Sequence, residues 1–511
     1  MAAGFNDVVM RQLGVSLLLA VVVTGLITPP LLLLYRRQVS ALMARKGGEA
    51  APPALPQSSS RSASPPPEGL RGRSRAAVTA RAHAWFTGFA VQAAWLTGLF
   101  AARYASVVSA PAMVMALGVF LVPAALVLLT ESTASGWTRL LAVGTGLLVL
   151  GVWWGPSGEL LRSIALPYVM VPVLPLLLFH LRFWRGAAPL VFLLALMGFS
   201  GWVLAIGLAE GVLGINPDSL FLWLARCMGL AGGLVLGLWL LQGVAEKHAA
   251  GVVSERTFGI DIWWLLYSMV QAFVVSIGLG IGAGALALLS FPMGRWIAGR
   301  ALGSMDPSQL PPLRLLLLRV FGNSRRSERL FEELTQAWSP LGSIELIGGA
   351  DLALQQVSPL DFLAFVTGRL QERFGQAPVE TTIRLATPST PAIDGSYPAR
   401  QTFCHADVWE QTMRCLLAAS DAVVMDLRQF QAQREGCRVE LEALARSCND
   451  RPIVLVTDDS THLPLVRQLL ANAGADHEQH PWHFVTASGR EATTVGRVMD
   501  ALSVVPARVQ C

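Results

Sequence analysis

No lysine follows Lys247, and only 14% of the 511 residues are charged. The first absence, together with a first soluble strand that no acid pair follows, removes the phosphoacceptor chemistry of receiver-type domains. The second is too low for an ordinary soluble chain and usual for one that is half membrane. Cysteine is also sparse: Cys227, Cys404, Cys415, Cys437, Cys448 and Cys511 form no CxxC pair and no zinc-like spacing. They read as free thiols of a reducing compartment, with no metal site expected. A clustered basic face is missing too. Residues 310–511 hold 19 Lys+Arg against 23 Asp+Glu, while residues 1–309 hold 20 against 11. The basic excess belongs to the membrane half, which argues against a nucleic-acid partner. No internal repeat stands out.

What is abundant is apolar sequence, 53% of the chain. Runs long enough, or nearly so, to cross a bilayer of roughly 30 Å lie at 14–34, 85–102, 107–130, 140–154, 164–180, 188–209, 220–242 and 262–290. The first ends in Pro29-Pro30 followed by four leucines and lacks a small-residue cleavage site, so it reads as an anchor and not as a signal peptide. Residues 36–84 carry nine Lys+Arg against two Glu. Their Pro, Ser, Gly and Ala content predicts disorder in the middle, and the positive-inside rule places them in the cytoplasm. Eight crossings would then put the C-terminal part outside, against the cysteine reading. Seven crossings, or a re-entrant segment, resolve the conflict, with 140–154 and 164–180 the weakest runs. The expectation is an integral protein of the plasma (inner) membrane, its C-terminal domain in the cytoplasm and the lipid bilayer as a partner. Within the membrane half, Arg226 reads as an interfacial anchor, His180 and Glu210 as helix-end residues, and the Gly278–Gly284 series as a close-packing stripe.

The domain division is therefore 1–291 for the transmembrane helical region, 292–311 for a linker and 312–511 for an α/β domain. After the linker, short apolar strands alternate with amphipathic helices. "RLLLLRVFG" is a strand, and "NSRRSERLFEELTQAW" a helix presenting Leu330, Phe331, Leu334 and Trp338 on one face. "SIELIGG" is a second strand, and "SPLDFLAFVTGRLQERF" one helix opened by Ser358-Pro359. Residues 379–403 read as a hairpin or irregular insert. "DVWEQTMRCLLAAS", "CRVELEALARS", "HLPLVRQLLANAG" and "EATTVGRVMDAL" are helices; "DAVVMDL", "RPIVLVTDD" and "HFVTA" are strands. This alternation predicts a mostly parallel sheet covered on both faces, with ligands at the carboxyl ends of its strands. Chemistry is then sought in the loops after Gly322, Gly349, Leu427 and Asp459.

"LRVFGNSRRSERLFEEL" resembles the first strand, loop and helix of Toll/interleukin-1 receptor (TIR) domains. "WEQTMRCLLAASDAVVMDLRQFQAQREGCRVELEAL" resembles their later part, where a helix opens on a Trp-Cys-x-x-Glu-Leu pattern. Here that pattern reads Gly436-Cys437-Arg438-Val439-Glu440-Leu441, with Gly436 in place of Trp. The resemblance covers about 200 residues, includes an insert near 352–403 and leaves out the membrane half. It implies a flavodoxin-like/TIR-like fold that self-associates, with Glu440 as the carboxylate that cleaves the nicotinamide–ribose bond of NAD, a substrate and not a bound cofactor. A nearby anion stabilises the oxocarbenium-like ribose of such a cleavage. Gly322, Asn323, Ser324 and Arg325 would offer helix N-terminal amides and a guanidinium to the diphosphate.

Each residue also has a plainer role. Glu440 reads as at least partly exposed on its helix, Cys437 as a packing cysteine, Asn323 and Ser324 as helix caps, and His405 with Asp407 as the cap of the following helix. The functional expectation is a membrane-anchored signalling or defence protein whose TIR-like domain cleaves NAD when activated. A non-catalytic interaction module and a transporter with a regulatory nucleotide-binding domain are the alternatives.

Overall fold

The computed structural model describes residues 2–45, 70–104, 110–125 except 123, 187–249 except 217, single positions between 264 and 279, 280–301, 312–319, 325–347, 359–375, 385, 389, 391, 396–446 except 406, 451–473 and 482–503 except 488. Two compact units emerge. One comprises residues 1–32, 78–246 and 256–306; the other comprises 33–77, 247–255 and 307–511.

The first unit is helical. Helix α1 (Ala2–Met43) enters it and α2 (Leu70–Tyr104) continues in it, followed by α3 (Ala110–Phe120) and α4 (Ala188–Ile206). A π-helical turn (Gly207–Val212) prolongs α4, and α5 (Leu220–Ala249) and α6 (Ile281–Ala301) follow. Among the described residues, four stretches are long and apolar enough to cross a membrane: Leu18–Met43, His83–Ala102, Ala188–Glu210 and Leu220–Lys247. The runs at 140–154 and 164–180, and His180, lie outside the described residues. The run at 262–290 is broken at Gly280, whose φ of 90° ends one helical stretch before α6 begins.

Backbone contact holds α4 to α5. A methyl group on Gly201 would strike the Gly229 carbonyl, and one on Gly233 would strike that of Met197. Small residues allow this approach where lipid supplies no hydrophobic drive between helices. The stripe expected from Gly278 to Gly284 contributes less. Gly284 is crowded by Ser276 and Ala272, whereas Gly280 and Gly282 face open space. The buried Gln92 side chain donates to Ser268 Oγ at 2.8 Å, and Trp264 stacks on Phe291 at 4.7 Å.

The second unit is a three-layer α/β fold. Its strands are β1 (Leu313–Arg319), β2 (Gly342–Ile347), β3 (Ala399–Thr402), β4 (Ala422–Asp426), β5 (Ile453–Thr457) and β6 (Trp482–Thr486). All neighbours pair in parallel, in the order β3-β2-β1-β4-β5-β6. Helix α7 (Arg325–Trp338) follows β1. Helices α8 (Pro359–Val366) and α9 (Leu370–Gly375) follow β2, α10 (Trp409–Ala419) follows β3, α11 (Glu435–Arg446) follows β4, α12 (Leu463–Asn472) follows β5, and α13 (Glu491–Leu502) ends the fold.

Period-two alternation divides each strand between two cores. Leu315, Leu317, Val424, Val454 and Val456 point to the layer holding α7 and α13; Leu316, Leu318, Val423, Met425 and Leu455 point to the layer holding α10, α11 and α12. The face expected on α7 is the buried one, with Leu330, Phe331, Leu334 and Trp338 between 0% and 8% exposed. Fully burying such side chains contributes about 1.5–3 kcal/mol each.

Three features differ from the sequence reading. The single helix expected over 358–374 is two, because Gly368 adopts φ 74° and closes α8. Its amide donates to Phe365 O at 3.1 Å and that of Arg369 to Ala364 O at 2.7 Å, the paired bonds of a Schellman turn. The insert at 379–403 supplies β3, which runs parallel to β2 and so is no hairpin partner to it.

The third difference concerns the basic loop, drawn at 36–84. It is helical at both flanks, and residues 36–45 and 70–77 belong to the α/β unit; its middle, 46–69, lies outside the described residues. Tyr35, Val39 and Leu42 are 1%, 0% and 4% exposed, a heptad-spaced stripe, and the Tyr35 ring meets Phe365 edge-on at 5.4 Å. The Leu42 carbonyl lies 2.8 Å from His405 Nδ1. On α2, Leu70 is fully buried in the α7/α13 core, and Ser74 Oγ donates to Ala337 O at 2.5 Å.

Candidate functional site

The carboxyl edge of the sheet is formed by the ends of β4, β5 and β6 and the loops that leave them. Asp426 closes β4, and Arg428 stands two positions on; both are buried, at 2% and 4% exposure. The guanidinium donates from Nε to Asp426 Oδ1 and from Nη2 to Oδ2, each at 2.9 Å. Its Nη1 donates to both carboxylate oxygens of Glu491, the first residue of α13, at 3.1 Å. Burial works against the charge on Arg428, but the hydrogen bonds and charges of Asp426 and Glu491 outweigh it and hold the group above its ordinary range. Two carboxylates thus engage three guanidinium nitrogens, so Arg428 clamps the β4 loop to α13 instead of facing a substrate.

Gln429 follows with φ 60°, a left-handed conformation that β-strand and helix residues avoid, and its side chain is exposed. The clamp fixes it on one side. On the other, Phe430 is fully buried and accepts at its carbonyl from the His462 amide at 3.1 Å. The Gln429 amide points to Asp458 Oδ1 at 3.4 Å. That same oxygen accepts from Ser460 Oγ at 2.7 Å, Thr461 Oγ1 at 3.1 Å and the Ser460 amide at 3.1 Å. Burial pushes the Asp458 carboxyl up, yet these bonds prevail and hold it below its usual range. The single Thr461 hydroxyl proton also lies within reach of Leu427 O at 3.0 Å, and Gln431 Nε2 donates to Ser460 O at 2.9 Å. The β4 and β5 loops are therefore one hydrogen-bonded rim.

Glu440 sits in the second turn of α11 and is 1% exposed. This corrects the expectation of a partly exposed side chain. Cys437, Leu441 and Leu444, at offsets of three, one and four residues, are buried with it, so Glu440 occupies the apolar stripe of its helix. Glu442, by contrast, points outward and pairs with Arg446 at 2.9 Å. Cys437 packs in the same core as the α10 cysteine, Cys415. Burial pushes the Cys404 thiol up to about 12 and raises that of Cys415, which leaves both unreactive.

Gly322, Asn323 and Ser324 lie outside the described residues. Arg325 is described only as the first residue of α7. His405 and Asp407 do not cap α10. Its N-cap is Val408, without a side-chain bond, because His405 is engaged with Leu42 and Asp407 is exposed. Among the described residues no group of His, Cys, Asp and Glu could hold a metal ion.

The helical unit also holds an ion pair. Arg226, expected to be an interfacial anchor, lies 3.5 Å from Glu210, and its guanidinium carbon stands 5.2 Å from the Trp223 ring centre. Glu210 belongs to the π-helical turn. Extra residues in such turns re-aim side chains and are frequent at functional positions.

Sequence reasoning pointed to the loops after Leu427 and Asp459 but missed Arg428 and Glu491. The "MDLRQF" stretch did carry a local signal, an acid and a base two positions apart where a buried strand ends. Glu491 is 63 positions further on and gave none. Compared with models of known protein families and with curated proteins, the chain matches none.

Proposed function

We propose that this chain is a membrane-anchored signalling or defence protein whose α/β unit is TIR-like, faces the cytoplasm, self-associates and cleaves NAD when activated. The observation that carries the reading is Glu440. Its carboxylate lies on the buried face of the helix after β4, at the Cys-x-x-Glu-Leu position through which the TIR resemblance implies catalysis. Strand order lends support. Without the edge strand β3, the order becomes the flavodoxin-like 2-1-3-4-5, whose ligands lie beyond the carboxyl ends at the switch point, here between β1 and β4. Fold order alone assigns no activity.

In this reading Glu440 is the anion that stabilises the ribose cation as nicotinamide leaves. At 1% exposure it is out of reach of substrate. The resting unit is therefore closed, and activation by clustering must open the face of α11. The test is nicotinamide release by the full-length protein, reconstituted in vesicles and cross-linked into clusters. Glu440→Gln should lower the rate about a hundred- to a thousandfold, the loss typical of one electrostatic contact in a transition state. Glu442→Gln, on the outer face, should leave it unchanged. Clustered wild-type protein that releases no nicotinamide refutes the enzymatic reading.

The same burial favours a second reading, a non-catalytic interaction module. There Glu440 only shapes α11, and self-association measured by cross-linking would survive in a protein that consumes no NAD.

A further inference from the structure

Among the described residues, every large apolar side chain counted as exposed lies before residue 300, with one exception: Val366, 43% exposed, at the end of α8. Helix α8 reads PLDFLAFV; its single charged residue, Asp361, is turned inward at 6% exposure. The Schellman turn that closes the helix leaves Thr367, Gly368 and Arg369 exposed. A soluble surface has no evident need for this apolar end, but the neighbour of α8 supplies one.

That neighbour is the tail of α1. Phe365, adjacent to Val366, packs edge-on against Tyr35. Just before Tyr35, Leu33 and Leu34 are 55% and 53% exposed, the last of a series of exposed apolar residues along the described part of α1. Just after it, Arg36 and Arg37 are exposed, and no large apolar residue further along α1 is. Leu33 and Leu34 lie in the stretch of α1 that is long and apolar enough to cross a membrane. An exposed surface that changes from leucine to arginine across a single tyrosine marks where a helix leaves hydrocarbon for headgroups. Tyrosine prefers that depth, and arginine snorkels from it. Tyr35 is therefore at the interface, and the residue that touches it is there as well.

We propose that α8 rests on the membrane interface, with Val366 set among the lipid headgroups and Arg369 directed, like Arg36 and Arg37, toward lipid phosphates. The occupant of this surface is the bilayer that α1 itself crosses. The exposed apolar strip of α1 continues onto α8, and the basic residues beside it complement phosphate. The inference is independent of any catalytic activity.

The test uses the full-length chain in phospholipid vesicles, with Cys227, Cys448 and Cys511 replaced by serine and a nitroxide attached at Val366→Cys. A second sample carries the label at Gln468→Cys, an exposed position on α12. Both substitutions are on the surface, so folding is preserved. Collision rates are measured with oxygen, which concentrates in lipid, and with a water-soluble nickel chelate. The label at 366 should favour oxygen and the label at 468 nickel. Nickel preference at both positions overturns the proposal. Shielding of position 366 from both reagents also overturns it, because a protein surface would then cover α8.

Discussion

Replacing Arg428 with methionine removes a cation from between two carboxylates and leaves the chain's shape nearly unchanged. Four hydrogen bonds disappear, two of them to Asp426, which is 2% exposed. Asp426 keeps one donor, the amide of residue 428 at 3.1 Å. Glu491 is the less affected partner, since its side chain is 15% exposed and it stands at the N-terminus of α13, where a negative charge is welcome. Breaking a buried pair by removing one member typically costs about 3–5 kcal/mol, most of it the desolvated charge left behind. In a domain of about 200 residues each kcal/mol moves the melting temperature by about 2–4 °C, so Arg428→Met should melt about 6–20 °C lower. The assay is thermal unfolding of the detergent-solubilised full chain, followed through hydrogen exchange in β4 and α13. Because Asp426 bears most of the penalty, adding Asp426→Asn should recover more of the loss than adding Glu491→Gln. A shift of less than about 2 °C would mean that water reaches the triad and that the clamp contributes little.

Two further outcomes follow from other parts of the molecule. Gly201→Val should force α4 and α5 apart, at about 1–3 kcal/mol or more of overpacking, and lower the detergent resistance of the membrane unit, whereas Gly232→Val, facing open space, should be silent. The second concerns His483 on β6, whose pKa burial pushes below its ordinary value. The unfolded chain therefore takes up a proton first, so stability is fully present above about pH 6.5 and falls as the pH drops toward the depressed folded value. Melting temperatures recorded between about pH 7 and 5 should show less of this loss in His483→Gln.

Elements built on local pattern are legible in the residues themselves. Helix α13 runs over Glu491–Leu502 as its spacing predicts, and the buried face of α7 is the one that Leu330, Phe331, Leu334 and Trp338 define. Non-local features are not legible in this way. Strand β3 has four residues in a Pro- and Thr-rich insert, and only its pairing with β2 makes it a strand. Leu70 belongs to the α/β core although its own neighbourhood reads as a polar, basic loop. Glu440 is the instructive case. The positions of Cys437, Leu441 and Leu444 place it on a buried stripe, and periodicity alone points there. Residue type argues for exposure, and the fold follows the periodicity.

The attachment of both loop flanks to the α/β unit constrains how the chain is threaded. The links from Leu42 to His405 and from Ser74 to Ala337 span 363 and 263 positions, and between them lies all of the helical unit except residues 1–32. A bilayer has only two sides, and a chain that returns to the side it left has crossed an even number of times. For a helical unit set in a bilayer that α1 crosses, the crossings between these links would be even and the total odd. Seven crossings would meet that condition and eight would not. The described basic flanks of the loop and the α/β unit would then share one compartment.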